Sequence, residues 1–338
     1  MSNKAVDAAA LAEEGRAAER YGEPHTALRC YEHAARLLEG SGDTLLADVT
    51  RWMGTVHREL GNAGEAESLY RRSLELADQA EYTGGRAHAL NCLALLAHRC
   101  GDTTAARTLY AEAAHLAERC RDRRLTAMVQ HNLGILADVR GDSAEALRCC
   151  RLALDAFQEE RDDGGMCEVL NTLGMVHSRR GAWNHAEAAF GEGLELARRR
   201  GARAVEGVLE TNLAAVRISA GRLEQAEAPL ERALAAAARR RDPGRTAEAL
   251  KTRALLHDRR GRTAQAQEDL AEARTLAESA SDALLLAEVM RVTGELCARA
   301  GAAERAREAL DAALRGFSGI GAEVDAAAVE EELTALAA

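Results

Sequence analysis

Large and small apolar side chains recur along this chain at fixed offsets from one another, with polar residues between them. The natural reference is a glycine found at Gly22, Gly61, Gly101, Gly141, Gly181, Gly221, Gly261 and Gly301. Five residues after it stands an alanine in all eight copies: Ala27, Ala66, Ala106, Ala146, Ala186, Ala226, Ala266 and Ala306. Nine after it comes a large, mostly apolar side chain: Tyr31, Tyr70, Tyr110, Cys150, Phe190, Leu230, Leu270 or Leu310. Twelve after it and seven before it the residue is small, as at Ala113 and Gly174. Spacings of three and four put such residues on one face of a helix. Small residues let two helices approach, and the large one fills its neighbour's groove.

The glycine returns after one step of 39 and six of 40, a period that marks a repeat array. Each unit reads as helix A, a tight turn at the glycine, and helix B. Glycine suits the left-handed residue that ends a helix. Asn62-Ala-Gly-Glu65 and Asp142-Ser-Ala-Glu145 fit capping boxes opening helix B. A second turn leads to the next unit, marked by Gly40-Ser-Gly-Asp43, Gly84-Gly85, Asp162-Asp-Gly-Gly165, Asp242-Pro-Gly244 and Ser281-Asp282. The predicted units span about 5–40, 45–80, 85–120, 125–160, 165–200, 204–240, 244–280 and 284–318, in a single domain over 1–338. Residues 322–337, with Val324, Ala328, Val329, Leu333 and Leu336, predict an amphipathic helix that caps the open end. Pro24 suits a first helical turn and Pro243 a turn; Pro229 falls inside a helix and is expected to kink it.

The small–Gly–Ala–aromatic–Ala spacing resembles the tetratricopeptide repeat family over about residues 5–318. The units depart from it in length, 40 residues rather than 34, in lacking the proline near the end of helix B, and in carrying leucine or threonine for an early tryptophan. The extra length is expected in helix B. This long variant is similar to the repeats of bacterial signal-transduction ATPases, actinobacterial regulators and kinesin light chain. The segment Arg161-Asp-Asp-Gly-Gly-Met-Cys-Glu168 followed by Val-Leu-Asn-Thr-Leu-Gly174 is especially similar to the bacterial regulators. The resemblance implies a right-handed, all-α solenoid of eight helix-turn-helix units, close to one superhelical turn, with helix A lining a concave groove. No G-x-x-x-x-G-K-[ST] phosphate loop occurs, and the first repeat begins near Ala5, so neither an attached ATPase nor a DNA-binding domain is expected.

Composition narrows the function. The chain is 47% hydrophobic but only 3% aromatic, which suits close-packed Ala/Leu helices. A net charge of −10 disfavours nucleic acid as the partner, because phosphate binding needs a basic footprint. Lys4 and Lys251 are the only lysines, an arginine bias read as the codon usage of a high-GC bacterium. No apolar signal core and no run of about 18 apolar residues is present, so no membrane partner is expected and the cytoplasm is the expected compartment. The eight cysteines form no C-x-x-C pair and read as mostly buried free thiols.

Carried over through the glycine register, the groove line ten residues before the glycine holds Arg51, Asn91, His131, Asn171, Thr211, Lys251 and Arg291, with Asn132 and Asn212 one residue on. Asparagine both donates and accepts, so such a ladder suits a peptide backbone. Six before the glycine the line turns apolar: Leu95, Ile135, Met175, Ala215 and Leu255, either an open interaction stripe or part of the packing between helices. His88, Cys92 and His131 gather on a common side, where a metal site or acid–base centre is the sharper reading and an inert face the plainer one. His57, His177 and His257 read as half-buried spacers.

The leading expectation is a non-enzymatic scaffold or regulatory adaptor that holds a peptide or protein segment in the groove, without cofactor or metal. The alternatives are a signal-peptide sensor acting through a separate output protein, an enzyme or small-molecule binder near His88, Cys92 and His131, and self-assembly, which leaves monomer and homo-oligomer both open.

Overall fold

A computed structural model describes residues 3–337. Among them the chain is all helix: α1 (Asn3–Arg20), α2 (Pro24–Leu38), α3 (Thr44–Glu59), α4 (Ala63–Gln79), α5 (Thr83–Arg99), α6 (Thr103–Cys120), α7 (Arg123–Val139), α8 (Ser143–Glu159), α9 (Asp163–Arg179), α10 (Trp183–Arg200), α11 (Arg203–Ser219), α12 (Leu223–Arg240), α13 (Pro243–Arg259), α14 (Thr263–Ser279), α15 (Ala283–Arg299), α16 (Ala303–Gly319) and α17 (Glu323–Ala337). Odd-numbered helices up to α15 are the A helices and even-numbered ones the B helices of an α-solenoid. The chain groups into two compact units, Met1–Leu136 and Ala137–Ala338. The A helices run 16 to 18 residues and the B helices 15 to 18, so the extra length of each repeat is shared rather than confined to helix B.

Every A-to-B turn closes in the same way. At Gly61 the φ angle is +83°; the Asn62 N–H donates to the His57 carbonyl at 2.9 Å and the Gly61 N–H to the Arg58 carbonyl at 3.1 Å. This double bond pattern uses carbonyls that the helix end would otherwise leave unpaired. The B-to-A turns after α4, α6, α8, α12 and α14 repeat it one half-period later, with Glu81, Arg121, Arg161, Arg241 and Ser281 held at φ between +51° and +55°. The glycine pairs Gly84-Gly85 and Gly164-Gly165, expected in these turns, instead lie in the first turns of α5 and α9. There smallness is the requirement: a Cβ on Gly85 would lie 2.7 Å from Tyr82 Cε1, and one on Gly165 2.5 Å from Phe157 Cε1.

The large-on-small packing follows the offsets read from sequence. Tyr70, 1% exposed, lies on Gly54, Phe190 on Gly174 and Leu310 on Gly294. Of the two capping boxes, Asp142 caps through its acceptance from the Glu145 N–H at 3.1 Å; Asn62 makes no cap and lies 3.4 Å from His57 Nδ1. Helix α12 runs through Pro229 without a break. The carbonyl that Pro229 cannot bond, that of Gln225, accepts from Arg217 Nη1 at 3.0 Å. The cysteines are free; Cys149, Cys150, Cys167 and Cys297 are buried, while Cys100 is exposed. Helix α17 packs Val329 and Leu333 against Phe317 of α16.

Candidate functional site

The ladder positions on the A helices meet in pairs. Within Met1–Leu136, Asn132 Nδ2 donates to Asn91 Oδ1 at 3.0 Å, whereas Arg51 Nη2 pairs with Asp48 Oδ1 on its own helix at 3.0 Å. Within Ala137–Ala338, Asn212 Nδ2 donates to Asn171 Oδ1 at 2.8 Å, and Arg291 Nη2 reaches Glu332 Oε1 at 2.6 Å. Each asparagine pair joins the position ten before the glycine to the position nine before the next one, and Arg291 and Glu332, which lies on α17, keep the same separation of 41 residues. Two helical turns further along, Asp138 pairs with Arg179, and Asp258 with Arg299 at 3.0 Å. Neighbouring A helices are thus tied laterally at two levels.

Local sequence explains the exceptions. Lys251 pairs with Glu288, because the position nine before the next glycine is Val292, which has no acceptor. Thr211 and Thr252 face each other in this register, and each hydroxyl donates back to its own helix, to Gly207 and Glu248 at 3.0 Å.

Of the ladder residues, Asn91, His131 and Thr211 are buried, while Arg51, Asn132, Asn171, Asn212, Lys251 and Arg291 are half-buried. Leu95 packs onto the core around Leu90 and Tyr110, and Leu255 onto that around Leu250. Ile135 is half-buried and Met175 exposed, with Asn171 Nδ2 3.8 Å from Met175 Sδ. The apolar stripe is therefore partly core and partly surface.

Near the third A helix, burial pushes His88 down to about 4, helped by Arg51, and pushes His131 down to about 4. Burial also pushes the Cys92 thiol up. Both imidazoles are neutral at pH 7 and the sulfur is protonated, the opposite of an activated thiolate. No group of three or more His, Cys, Asp or Glu side chains converges on a metal-sized site among the described residues.

Three buried acids escaped the sequence reading: Asp138, already seen paired with Arg179, and Glu210 and Asp269. Glu210, 4% exposed, accepts from Arg232 Nε and Nη2 at 2.7 and 2.8 Å and from Arg198 Nη2 at 2.7 Å. Asp269 accepts from Arg253 at 2.9 and 2.6 Å. The signal was a column outlier: aligned on the glycine, Glu210 stands where other A helices carry Thr50, Leu90, Gln130, Leu170, Leu250 and Met290.

Residues 206–279 and 167–200 match models of the tetratricopeptide repeat. A search of curated proteins found no match. Among solved structures, the chain is similar to the Rap conjugation gene regulator of plasmid pLS20 in complex with a Phr peptide (14% identity, TM-score 0.66, covering 94% of this chain and 97% of that one). It is similar to apo RapI (18%, TM-score 0.62, 80% and 99%). It is also similar to a signal transduction ATPase with numerous domains and a tetratricopeptide repeat sensor from Pyrococcus horikoshii (14%, TM-score 0.66, 98% and 50%). At these identities the likeness is one of fold. Among the described residues no helix is long and apolar enough to cross a membrane.

Proposed function

We propose that this chain, which matches tetratricopeptide repeats over residues 167–200 and 206–279, is a non-catalytic scaffold that holds an extended peptide or protein segment along its A helices. The observation that carries the reading is the pair of asparagine ties, Asn91–Asn132 and Asn171–Asn212. A carboxamide has two donor hydrogens and two acceptor lone pairs, and each tie fixes the amide plane while using one donor or one acceptor. The half-buried Asn132, Asn171 and Asn212 keep bonding capacity in a preset orientation, which lowers the ordering cost of binding. Exposed Met175 beside Asn171 adds an adaptable apolar contact. The Rap conjugation gene regulator of similar fold, whose structure is in complex with the Phr* peptide, supports the same ligand class. Neutral imidazoles and a protonated Cys92 support a non-catalytic role for the face around His88.

The test is selection of peptides from a random phage-displayed library on the full chain, with affinities measured by fluorescence anisotropy. The Asn132→Ala/Asn212→Ala double variant, checked for unchanged helicity, should weaken the selected peptides by at least about ten-fold. Equal affinity for both proteins would remove the asparagine ladder from the binding surface.

A further inference from the structure

The B helices carry a large side chain at one of two adjacent positions, fifteen and sixteen residues after the reference glycine. The pairs are Leu37-Leu38, Leu76-Ala77, Leu116-Ala117, Ala156-Phe157, Leu196-Ala197, Leu276-Ala277 and Gly316-Phe317. In the sixth repeat both are alanine, Ala236 and Ala237. The facing A-helix position, fourteen before the glycine, is a buried Ala or Cys in the other seven repeats, as at Ala87, Cys167 and Ala247. In the sixth it is Gly207, where an added Cβ would still be 3.9 Å from Ala236. Two truncations thus meet, and a cavity of about 180 Å³ opens between α11, the end of α12 and the start of α13. Its wall is apolar, with Val205, Val208 and Ala233. Its rim carries Arg203, Arg240, Arg245 and Asp242; Arg245 pairs with Glu248 at 2.7 Å and its backbone N–H donates to Asp242 Oδ1 at 3.0 Å, whereas Arg203 and Arg240 are exposed and make no ion pair among the described residues. Thr211, a ladder residue, lines it too, so the cavity adjoins the proposed binding face.

We propose that this gap is a specificity pocket that takes a leucine-sized aliphatic side chain of an acidic peptide, whose carboxylate pairs with Arg203 and Arg240. The missing volume is that of the side chain the other repeats supply from within, leucine in five of them and phenylalanine in two, and the unpaired guanidiniums on a chain of net charge −10 select an anionic neighbour to that side chain. The proposal rests on the peptide-scaffold reading for its occupant, and on the cavity alone for its place.

The probe is N-acetyl-leucine, which carries one isobutyl group and one carboxylate, titrated into the methyl-labelled full chain. Saturable shifts are expected at the Val205 and Val208 methyls. Ala236→Leu refills the gap with the side chain common elsewhere, so it should fold with an equal or higher Tm and abolish the shifts. The Arg203→Glu/Arg240→Glu variant, or N-acetyl-leucine amide as probe, should bind at least about ten-fold more weakly. No saturable shift in the wild type, or an undiminished one in Ala236→Leu, overturns the pocket. Loss of phage-selected peptides in the asparagine variant with N-acetyl-leucine shifts retained keeps the pocket and supports the ladder. Selected peptides that bind Ala236→Leu as they bind wild type sink the pocket as a peptide subsite and leave the scaffold reading standing.

Discussion

Asn132 Nδ2 donates to Asn91 Oδ1 at 3.0 Å although 41 residues separate them. The distance along the chain is one repeat plus one residue, and it recurs in Asn171–Asn212, Asp138–Arg179, Asp258–Arg299 and Arg291–Glu332. Adjacent A helices are offset by about one residue, so side chains at unlike register positions face each other. The ladder is therefore a set of lateral ties as well as a surface.

Asn91 is 5% exposed and Asn132 half-buried, so the two amides pay differently for losing each other. Asn91→Ala is expected to cost about 1 kcal/mol in urea unfolding, the net value of one such bond. Asn132→Ala should cost less, and the double variant less than the sum, because both singles remove the same bond. Strict additivity would mean that the tie carries no coupling energy.

Glycines at two register positions should respond differently to alanine. A Cβ on Gly174 would lie 2.6 Å from Phe190 Cδ1, whereas Gly221, at φ +75°, has nothing within 4 Å. Gly174→Ala overpacks the contact and should cost about 1–3 kcal/mol, with partial rescue by Phe190→Leu. Gly221→Ala strains only the backbone, at about 1–2 kcal/mol, and Phe190→Leu should not rescue it. Thermal unfolding of the four variants measures both effects.

His131 is 8% exposed and pushed down to about 4 by burial. Its unfolded value is near 6.5. Between those values the unfolded chain holds the proton and the folded one does not, so stability falls as pH drops from about 6.5 towards 4, by up to about 1.4 kcal/mol per pH unit. Burial raises Glu19 and Glu295, and such carboxylates act in the opposite direction. The difference between wild type and His131→Asn isolates the imidazole: the variant should show a shallower loss between pH 6.5 and 4.5 in denaturant titrations. Parallel curves would show that His131 does not hold out against protonation.

Much of the fold was legible because its determinants are periodic. Tyr70 over Gly54 and Phe190 over Gly174 follow from offsets within one repeat, and the turn at Gly61 follows from one residue's freedom at positive φ. The inter-repeat turns were harder to read, since Arg121 and Arg241 adopt the same left-handed conformation without being glycine, held there by the closing bonds to the preceding helix. The glycines that drew attention instead, Gly85 and Gly165, are small for the sake of rings that pack on them.

The sequence by itself determined the all-α repeat, its register and the line of side chains from which a site can be drawn, because each depends on spacings along a single helix pair. Only the tertiary structure decided which of those side chains are already engaged. Asn91 finds Asn132 and Lys251 finds Glu288 on the A helix of the next repeat, and Glu210 gathers Arg198 from the helix before and Arg232 from the helix after its own, because these partners come from separate helices that only packing brings together. It also decided that two alanines and one glycine, unremarkable in sequence, meet as a cavity beside Thr211. A void is a property of the surfaces that fail to meet, and those surfaces come from separate helices.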